Sequence, residues 1–226
     1  MPAKAGFRIG IFGGTFDPIH FGHLRAAEEA REILGLDQVL LVPTADPPHK
    51  RNRPISGAPQ RMAMLRLAIR GHAPFRASPI EIERPGLSFT IDTLRQLRRK
   101  HRDAQLVLLM GLDAFAELDT WKEYRALFAI ADIAVLSRPP QSVRHPKSQL
   151  PVAVQRDFRY APGRKSLVNS NGNQVFFLSV TALDIAATDI RERVSAGRSI
   201  RFLVPPAVER FIRHERLYHA AGRSRV

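Results

Sequence analysis

Cysteine is absent from the 226 residues of this chain. The protein therefore has no disulfide and no thiolate zinc site, and a cytoplasmic location fits this composition. Long apolar runs are also absent, since no stretch approaches the roughly 20 residues of a membrane-spanning helix, and no apolar signal-peptide region follows Met1. We therefore expect a soluble protein, and its apolar fraction of 44% is enough for one sizeable core.

Acidic residues are few beside the basic ones. The chain carries 35 lysines and arginines against 21 aspartates and glutamates, which gives a net charge of +14. This charge favours anionic partners, which include nucleic acids and phosphorylated small molecules. A nucleic-acid-binding module that uses residues 138–165 and the tail is one alternative. The basic residues are dispersed and no aromatic-rich RNA-binding motif accompanies them, which favours a solvated basic surface.

Short apolar segments alternate with segments of helical periodicity along most of the chain. The predicted strands are residues 7–12, 38–42, 80–83, 106–110, 133–136 and 175–180. The predicted helices are residues 21–34, 59–70, 90–97, 113–131 (in two pieces), 188–196 and 205–218. This alternation predicts an α/β fold, a Rossmann-like parallel sheet with helices on both faces.

We expect one domain over residues 1–226. Residues 139–173 contain prolines, scattered basic residues and only weak periodicity, so they are predicted to form a long loop or insertion. Residues 187–218 are predicted to form a C-terminal helical segment. Ligands of open α/β sheets bind where loops leave the carboxyl ends of strands. Segments of unusual sequence at such ends are residues 13–23, 43–50, 111–121 and 185–191.

The most distinctive of these segments is residues 13–23, with the sequence GGTFDPIHFGH. His20 and His23 share one face of the first helical turn, and Gly22 leaves room between them for a bulky ligand. Imidazole N–H groups beside the backbone N–H groups of a helix start can bind phosphate oxygens and their transition-state charge. An isolated pair of histidines would more simply be a turn cap and a solvated helix residue. The whole string favours phosphate binding.

The string GGTFDPIHFGH resembles the signature of the nucleotidyltransferase superfamily, whose HxGH element binds nucleotide phosphates. Its histidine at position 20, where other members have threonine, is similar to the bacterial nicotinate-nucleotide adenylyltransferases. Further segments resemble the same family in the same order, namely PPHK at 47–50, SFTIDT at 88–93, and MGLDAF at 110–115 followed by Trp121 and Lys122. The resemblance implies the nucleotidyltransferase fold for nearly the whole chain outside residues 139–173.

The reaction implied by the resemblance joins ATP and nicotinate mononucleotide to give nicotinate adenine dinucleotide and pyrophosphate, a step of NAD biosynthesis. The phosphate of the mononucleotide would attack the α-phosphorus of ATP in line. Such a transfer needs mainly positioning and charge neutralisation, so no covalent enzyme intermediate is required. His20 and His23 would be the catalytic pair that holds the α- and β-phosphates, and Mg²⁺ would be carried in by ATP without a protein metal site.

The resemblance also implies contacts with ATP at residues that match the family motifs. These residues are Gly13, Gly14, Thr15, Phe16, Gly111, Asp113, Thr188 and Arg191. Asp113 would accept hydrogen bonds from a ribose hydroxyl, although a helix N-cap is its simpler role. Ala186 stands where the family commonly has serine, which removes one candidate phosphate donor.

Contacts with the mononucleotide are implied at Lys50, Thr90, Trp121 and Arg138. Trp121 would be the platform on which the nicotinate ring stacks, with backbone contacts from Thr90, although a lone tryptophan is otherwise usually a core residue. Lys50 would meet the attacking phosphate, and alone would be taken as an exposed lysine of a basic stretch. For Arg138, a substrate contact and a surface salt bridge are equally weighted.

Two other kinds of enzyme also carry an HxGH element. A different acceptor, such as phosphopantetheine or glycerol phosphate, belongs to relatives that are generally shorter and are not expected to carry the Trp121 segment. Class I aminoacyl-tRNA synthetases also have the element, but this chain is too short for one and shows no KMSKS-like loop. The choice between nicotinate and nicotinamide mononucleotide stays open at this point, as do the oligomeric state and the role of residues 139–173.

Overall fold

A computed structural model of the chain describes residues 6–45, 55–138, 143–161 and 166–219. Its strands within these ranges are β1 Arg8–Gly14, β2 Gln38–Pro43, β3 Phe75–Ala77, β4 Gln105–Gly111, β5 Asp132–Ser137, β6 Phe158–Tyr160, β7 Ser166–Asn169 and β8 Gln174–Ser179. Its helices are α1 Phe21–Leu34, α2 Ala58–Ala68, α3 Thr90–Lys100, α4 Leu112–Ala116, α5 Tyr124–Ile130, α6 Ala187–Ser195 and α7 Pro206–His214. Single 3₁₀ turns occupy Leu118–Thr120, Pro146–Gln149 and Val152–Asp157.

The eight strands form one sheet in the order β3-β2-β1-β4-β5-β8-β7-β6. The first six are parallel, and β7 and β6 continue the sheet in antiparallel pairing. Successive strands run outward in both directions from β1 and β4, so the strand order reverses between these two. In doubly wound sheets this reversal opens a crevice at the carboxyl ends of the two strands.

Both faces of the sheet are covered by helices. Alternate residues of β2 belong to the hydrophobic cores on opposite faces of the sheet. Leu40 and Val42 pack in the core that contains α3 and α5. Val39 and Leu41 pack in the core that contains α1 and α7. This alternation is the two-face burial that makes a parallel strand apolar throughout. The predicted Rossmann-like fold with helices on both faces is confirmed for the central sheet, and the antiparallel edge makes the complete sheet mixed.

The predicted strand at residues 80–83 is wrong. The strand in this region is β3, and residues 80–83 form a turn in which Ile80 and Glu81 are both buried. The buried carboxylate of Glu81 accepts a hydrogen bond from the Thr93 hydroxyl at 2.7 Å. The alternation of isoleucine and glutamate therefore does not mark a buried and an exposed face.

Residues 139–173 are more ordered than the predicted long loop. Their described parts include two 3₁₀ turns and strands β6 and β7, which extend the sheet beyond β8. Leu150, Val154 and Phe158 pack into the core on one face of the sheet. These strands have three and four residues, too few for a periodicity that the sequence could show. In the described part of the chain, no helix is long and apolar enough to cross a membrane.

Candidate active site

The turn between β1 and α1 places both histidines at the start of a helix. His20 is the N-cap residue of α1, and its imidazole makes no capping hydrogen bond. The rings of His20 and His23 stack with centroids 3.6 Å apart and planes inclined by 29°. A Cβ atom on residue 22 would lie 3.0 Å from Nδ1 of His20, so glycine is needed for this close stack.

His20 is buried, with 5% of its surface exposed. Burial and then the charge of Arg138 lower the pKa of His20 to about 4. The imidazole is therefore neutral near pH 7, and it carries one N–H. Its Nδ1 atom is buried and has no hydrogen-bond partner among the residues that the structure describes. The first turn of α1 contains no acidic residue, so its positive end is open to an anion.

Phe16 packs against His23 from the side of the core. It has a φ of 49°, and its ring is 2% exposed. The ring packs edge-on against His23 at 5.1 Å and against Phe12 at 5.9 Å between centroids. The side chain predicted to contact ATP is therefore packed in the core beneath His23.

A cavity of about 400 Å³ opens between the carboxyl ends of β1 and β4 and the start of α3. The structure brings together here six residues that the sequence assigned to two substrates, namely Gly13, Gly14, Thr15, Thr90, Gly111 and Trp121. Trp121 lines the cavity and also packs against the core. Thr90 is the first residue of α3, where backbone N–H groups have no acceptor within the helix.

Four further lining residues form a polar wall that the sequence did not indicate as a unit, namely Glu81, Ser88, Thr93 and Lys122. The hydroxyl of Ser88 accepts a hydrogen bond from the backbone N–H of Ala45 at 3.1 Å. Burial raises the pKa of Glu81, although hydrogen bonds from Thr93 and Ser88 oppose this. Ser88 and Thr93 belong to the SFTIDT segment, and this segment was the available signal. Glu81 was hidden by its incorrect assignment to a strand.

Arg191 and Thr188 lie beside the histidine loop. The Arg191 guanidinium donates to the backbone oxygen of Asp17 at 2.7 Å and to the Thr188 hydroxyl at 3.3 Å. The backbone oxygen of Leu203 accepts from the N–H of Phe21, at the start of α1. The region of α6 and the segment after it therefore borders the histidine pair.

Asp17 is a buried anchor of this loop. Its carboxylate accepts hydrogen bonds from the Tyr218 hydroxyl at 2.6 Å and from the backbone N–H of Ser56 at 3.3 Å. Burial and the Asp17 carboxylate raise the pKa of Tyr218, so the phenol keeps its proton and remains a donor. Neither Asp17 nor Tyr218 was singled out in the sequence, since 201 positions separate them.

The described wall of the cavity does not include the other predicted site residues. His20, His23, Phe16, Thr188 and Arg191 lie at or beside the β1–α1 turn. Lys50 lies outside the described residues. Asp113 is exposed in the first turn of α4, where Gly111 and not Asp113 is the N-cap residue. Arg138 is exposed just after β5, and its charge acts on His20. Among the described residues, no group of three histidine, aspartate or glutamate side chains could hold a metal ion.

Replacing Ala186 with serine is expected to stabilise the protein by about 0.5–1 kcal/mol. Ala186 is the N-cap residue of α6 with an extended backbone (φ −112°, ψ 140°), and it offers no side-chain cap. A serine hydroxyl there can accept a hydrogen bond from the first turn of the helix. Urea unfolding measures the change. Ala187→Ser is the matched control, because residue 187 is already inside the helix, and an equal gain from both variants would contradict capping.

The family model described as cytidylyltransferase-like matches residues 11–193. A probable nicotinate-nucleotide adenylyltransferase of Pelobacter propionicus is 45% identical over 214 residues, which cover 93% of this chain and 98% of that protein. A protein of Geobacter sulfurreducens with the same name is 40% identical over 215 residues, which cover 95% of this chain and 100% of that protein.

Solved structures show the same fold. Plasmodium falciparum nicotinic acid mononucleotide adenylyltransferase complexed with NaAD superimposes with a TM-score of 0.72 at 15% identity, over 94% of this chain and 97% of that chain. A putative nicotinate-nucleotide adenylyltransferase from Vibrio parahaemolyticus gives a TM-score of 0.62 at 18% identity, over 94% and 95%. At these identities the likeness concerns the fold alone.

Proposed function

Since this chain belongs to the nicotinate-nucleotide adenylyltransferase family, within the cytidylyltransferase-like proteins, we propose that it joins ATP and nicotinate mononucleotide. The products are nicotinate adenine dinucleotide and pyrophosphate. The observation that carries this proposal is the stacked pair of His20 and His23 at a helix start, beside a cavity that extends to Trp121. One end of the site suits phosphates and the other suits a flat ring.

The proposed chemistry is an in-line displacement at the α-phosphorus of ATP. An oxygen of the mononucleotide phosphate forms a bond to this phosphorus, the bond to the bridging oxygen of the β-phosphate breaks, and pyrophosphate leaves with that electron pair. His20 and His23 donate N–H hydrogen bonds to the phosphate oxygens on which negative charge accumulates. A neutral His20 loses little solvation on binding and needs no proton transfer. Positioning and charge stabilisation are sufficient for such a transfer.

ATP is proposed to enter as its Mg²⁺ complex. Mg²⁺ prefers phosphate oxygens and water, and it is commonly held by the nucleotide with few protein ligands. The ion neutralises part of the triphosphate charge and so assists departure of pyrophosphate. Arg191 and Thr188, next to the histidine loop, are proposed to contact the same phosphates.

The remaining contacts are proposed according to where the residues lie. Gly13, Gly14 and Thr15 let the backbone of β1 approach ATP, and Gly111 does the same at the end of β4. Asp113 is proposed to contact ribose, and Lys50 and Arg138 the phosphate of the mononucleotide. Trp121 stacks on the nicotinate ring, whose substituent faces the start of α3 at Thr90.

Pyrophosphate release tests this function. Purified protein with ATP, Mg²⁺ and nicotinate mononucleotide is expected to release pyrophosphate and to form the dinucleotide. Parallel reactions with nicotinamide mononucleotide and with phosphopantetheine test the acceptor. Faster turnover of phosphopantetheine, or no turnover of any acceptor, would overturn the proposal.

Replacing Trp121 with alanine is expected to raise KM for nicotinate mononucleotide by about 10- to 100-fold, because aromatic stacking contributes about 1–3 kcal/mol per ring. KM for ATP should change little, since the proposed stacking involves the ring of the mononucleotide alone. Steady-state kinetics with each substrate varied in turn measures both constants. Trp121→Phe, which keeps an aromatic face, should recover most of the affinity. Equal increases in both KM values would assign Trp121 to the core.

A further inference from the structure

Lys122 follows Trp121 on the wall of the cavity. Among the described residues that line it, Lys122 is the only lysine or arginine, and Glu81 is the only acidic residue. Lys122 is the chain neighbour of Trp121, so its side chain stands at the Trp121 end of the cavity. A single cation at this end acts on the ring substituent more than on the phosphates.

The ammonium of Lys122 is held by weak contacts. Its Nζ lies 3.0 Å from a carboxylate oxygen of Asp92, with 41% of the lysine side chain and 30% of the aspartate side chain exposed. It also lies 4.8 Å from the centroid of the Phe89 ring, which lines the cavity beside Thr90. An exposed ion pair of this kind contributes little to stability and exchanges readily. The ammonium can therefore turn from Asp92 to another carboxylate at the start of α3.

Glu81, the acidic residue of the described cavity wall, already has its own hydrogen-bond partner. Its carboxylate is buried and accepts the hydrogen bond of Thr93 at 2.7 Å. Burial raises the pKa of Glu81, although hydrogen bonds from Thr93 and Ser88 oppose this. The polar wall therefore combines an exposed cation in an exchangeable ion pair with a buried carboxylate held by a hydrogen bond, and the exposed cation favours an anionic substituent on the ring.

We infer that Lys122 is a specificity-determining residue that selects the mononucleotide with a ring carboxylate over the one with a carboxamide. The inference rests on the proposed function and concerns the same site. The two mononucleotides have nearly the same shape, and both can stack on Trp121 and accept hydrogen bonds from the N–H groups at Thr90. They differ by one negative charge, that of the ring carboxylate. The ammonium of Lys122 attracts this charge, and the neutral carboxamide has none for it to attract.

The test compares kcat/KM for nicotinate and nicotinamide mononucleotide, and the ratio of the two values is the acid preference. Lys122→Met, which keeps the length of the side chain, is expected to lower the acid preference about tenfold, mainly through KM for the acid. Lys122→Arg keeps the charge and should stay within about threefold of the wild-type preference. Lys100→Met is the matched control, since it removes an exposed lysine outside the cavity and should leave the preference unchanged.

A second variant keeps the test independent of folding defects in Lys122→Met. Asp92→Asn removes the partner of the ammonium and is expected to raise the acid preference. An unchanged preference in Lys122→Met, or a lower one in Asp92→Asn, would overturn the inference while the proposed function stands. A wild-type enzyme without any acid preference would also overturn it. Absence of pyrophosphate release with both mononucleotides would overturn the proposed function and this inference with it.

Discussion

Replacing His20 or His23 with alanine is expected to lower kcat by about 100- to 1,000-fold, the effect typical of removing one donor to a transition-state oxyanion. His20 is neutral, buried and adjacent to the positive end of α1, so its N–H needs no reorganisation when charge develops on the phosphate oxygens. The interaction strengthens in the transition state, and kcat and kcat/KM should therefore fall together. Steady-state and single-turnover kinetics with ATP and nicotinate mononucleotide measure both.

The control for this prediction is His214→Ala, which removes an imidazole that is 85% exposed on α7. Its kcat should equal that of the wild type. Circular dichroism and thermal unfolding of His20→Ala and His23→Ala separate a loss of catalysis from a loss of fold. A folded variant with near-normal kcat would show that its imidazole does not stabilise the transition state. A rise in KM for ATP with unchanged kcat would assign it to ground-state binding alone.

The pairing of His20 and His23 on one helical turn could be predicted from the sequence because it is local. The expected room for a bulky ligand between them is wrong, since the two rings stack with centroids 3.6 Å apart. Gly22 permits the stack of His20 on His23 within four residues, and Gly35 ends α1 in the left-handed conformation with φ 60°. The short apolar strands were equally visible, because central parallel strands are buried on both faces. The central fold and the turn that carries the histidine pair follow from such short-range patterns.

The polar wall of the cavity could not be predicted as a unit, because its members meet only after the chain folds. Glu81 lies in a turn after β3, and its buried carboxylate accepts a hydrogen bond from Thr93 in α3. Lys122 follows a 3₁₀ turn, and its ammonium reaches Phe89 over a gap of 33 positions in the chain. Sequence periodicity carries no information about such pairs.

The same limit applies to the side chains that hold the β1–α1 loop. In the sequence, Arg61 is one of several basic residues of an expected helix, and such residues usually face solvent. In the structure it is 1% exposed and donates to three backbone oxygens, those of Thr15, Ser56 and Ala45, at 2.9, 2.9 and 3.4 Å. Asp17 lies close enough for its charge to act on Arg61. One buried guanidinium thus joins three segments around the cavity.

Replacing Arg61 with methionine is expected to lower the free energy of unfolding by about 3–5 kcal/mol, the cost typical of removing one partner from a buried charge network. Methionine fills much of the volume of the arginine side chain. Most of the lost free energy of unfolding therefore comes from polar groups left without a partner. The carbonyls of Thr15 and Ser56 lose their donor, and the buried carboxylate of Asp17 loses a nearby positive charge. Urea unfolding at pH 7 measures the difference. Burial lowers the pKa of Arg61 without removing its charge at this pH.

Two further variants separate the causes of this loss. Arg66→Met removes an exposed guanidinium from the same helix and should change the free energy of unfolding by less than about 0.5 kcal/mol. Arg61→Lys keeps a positive charge near Asp17 but loses the planar fork that reaches three carbonyls, so an intermediate loss is expected. If Arg61→Lys were as stable as the wild type, the charge alone would account for the contribution of Arg61. If Arg61→Met cost no more than Arg66→Met, the three carbonyls would be satisfied without it, and the loop that holds His20 would not depend on α2.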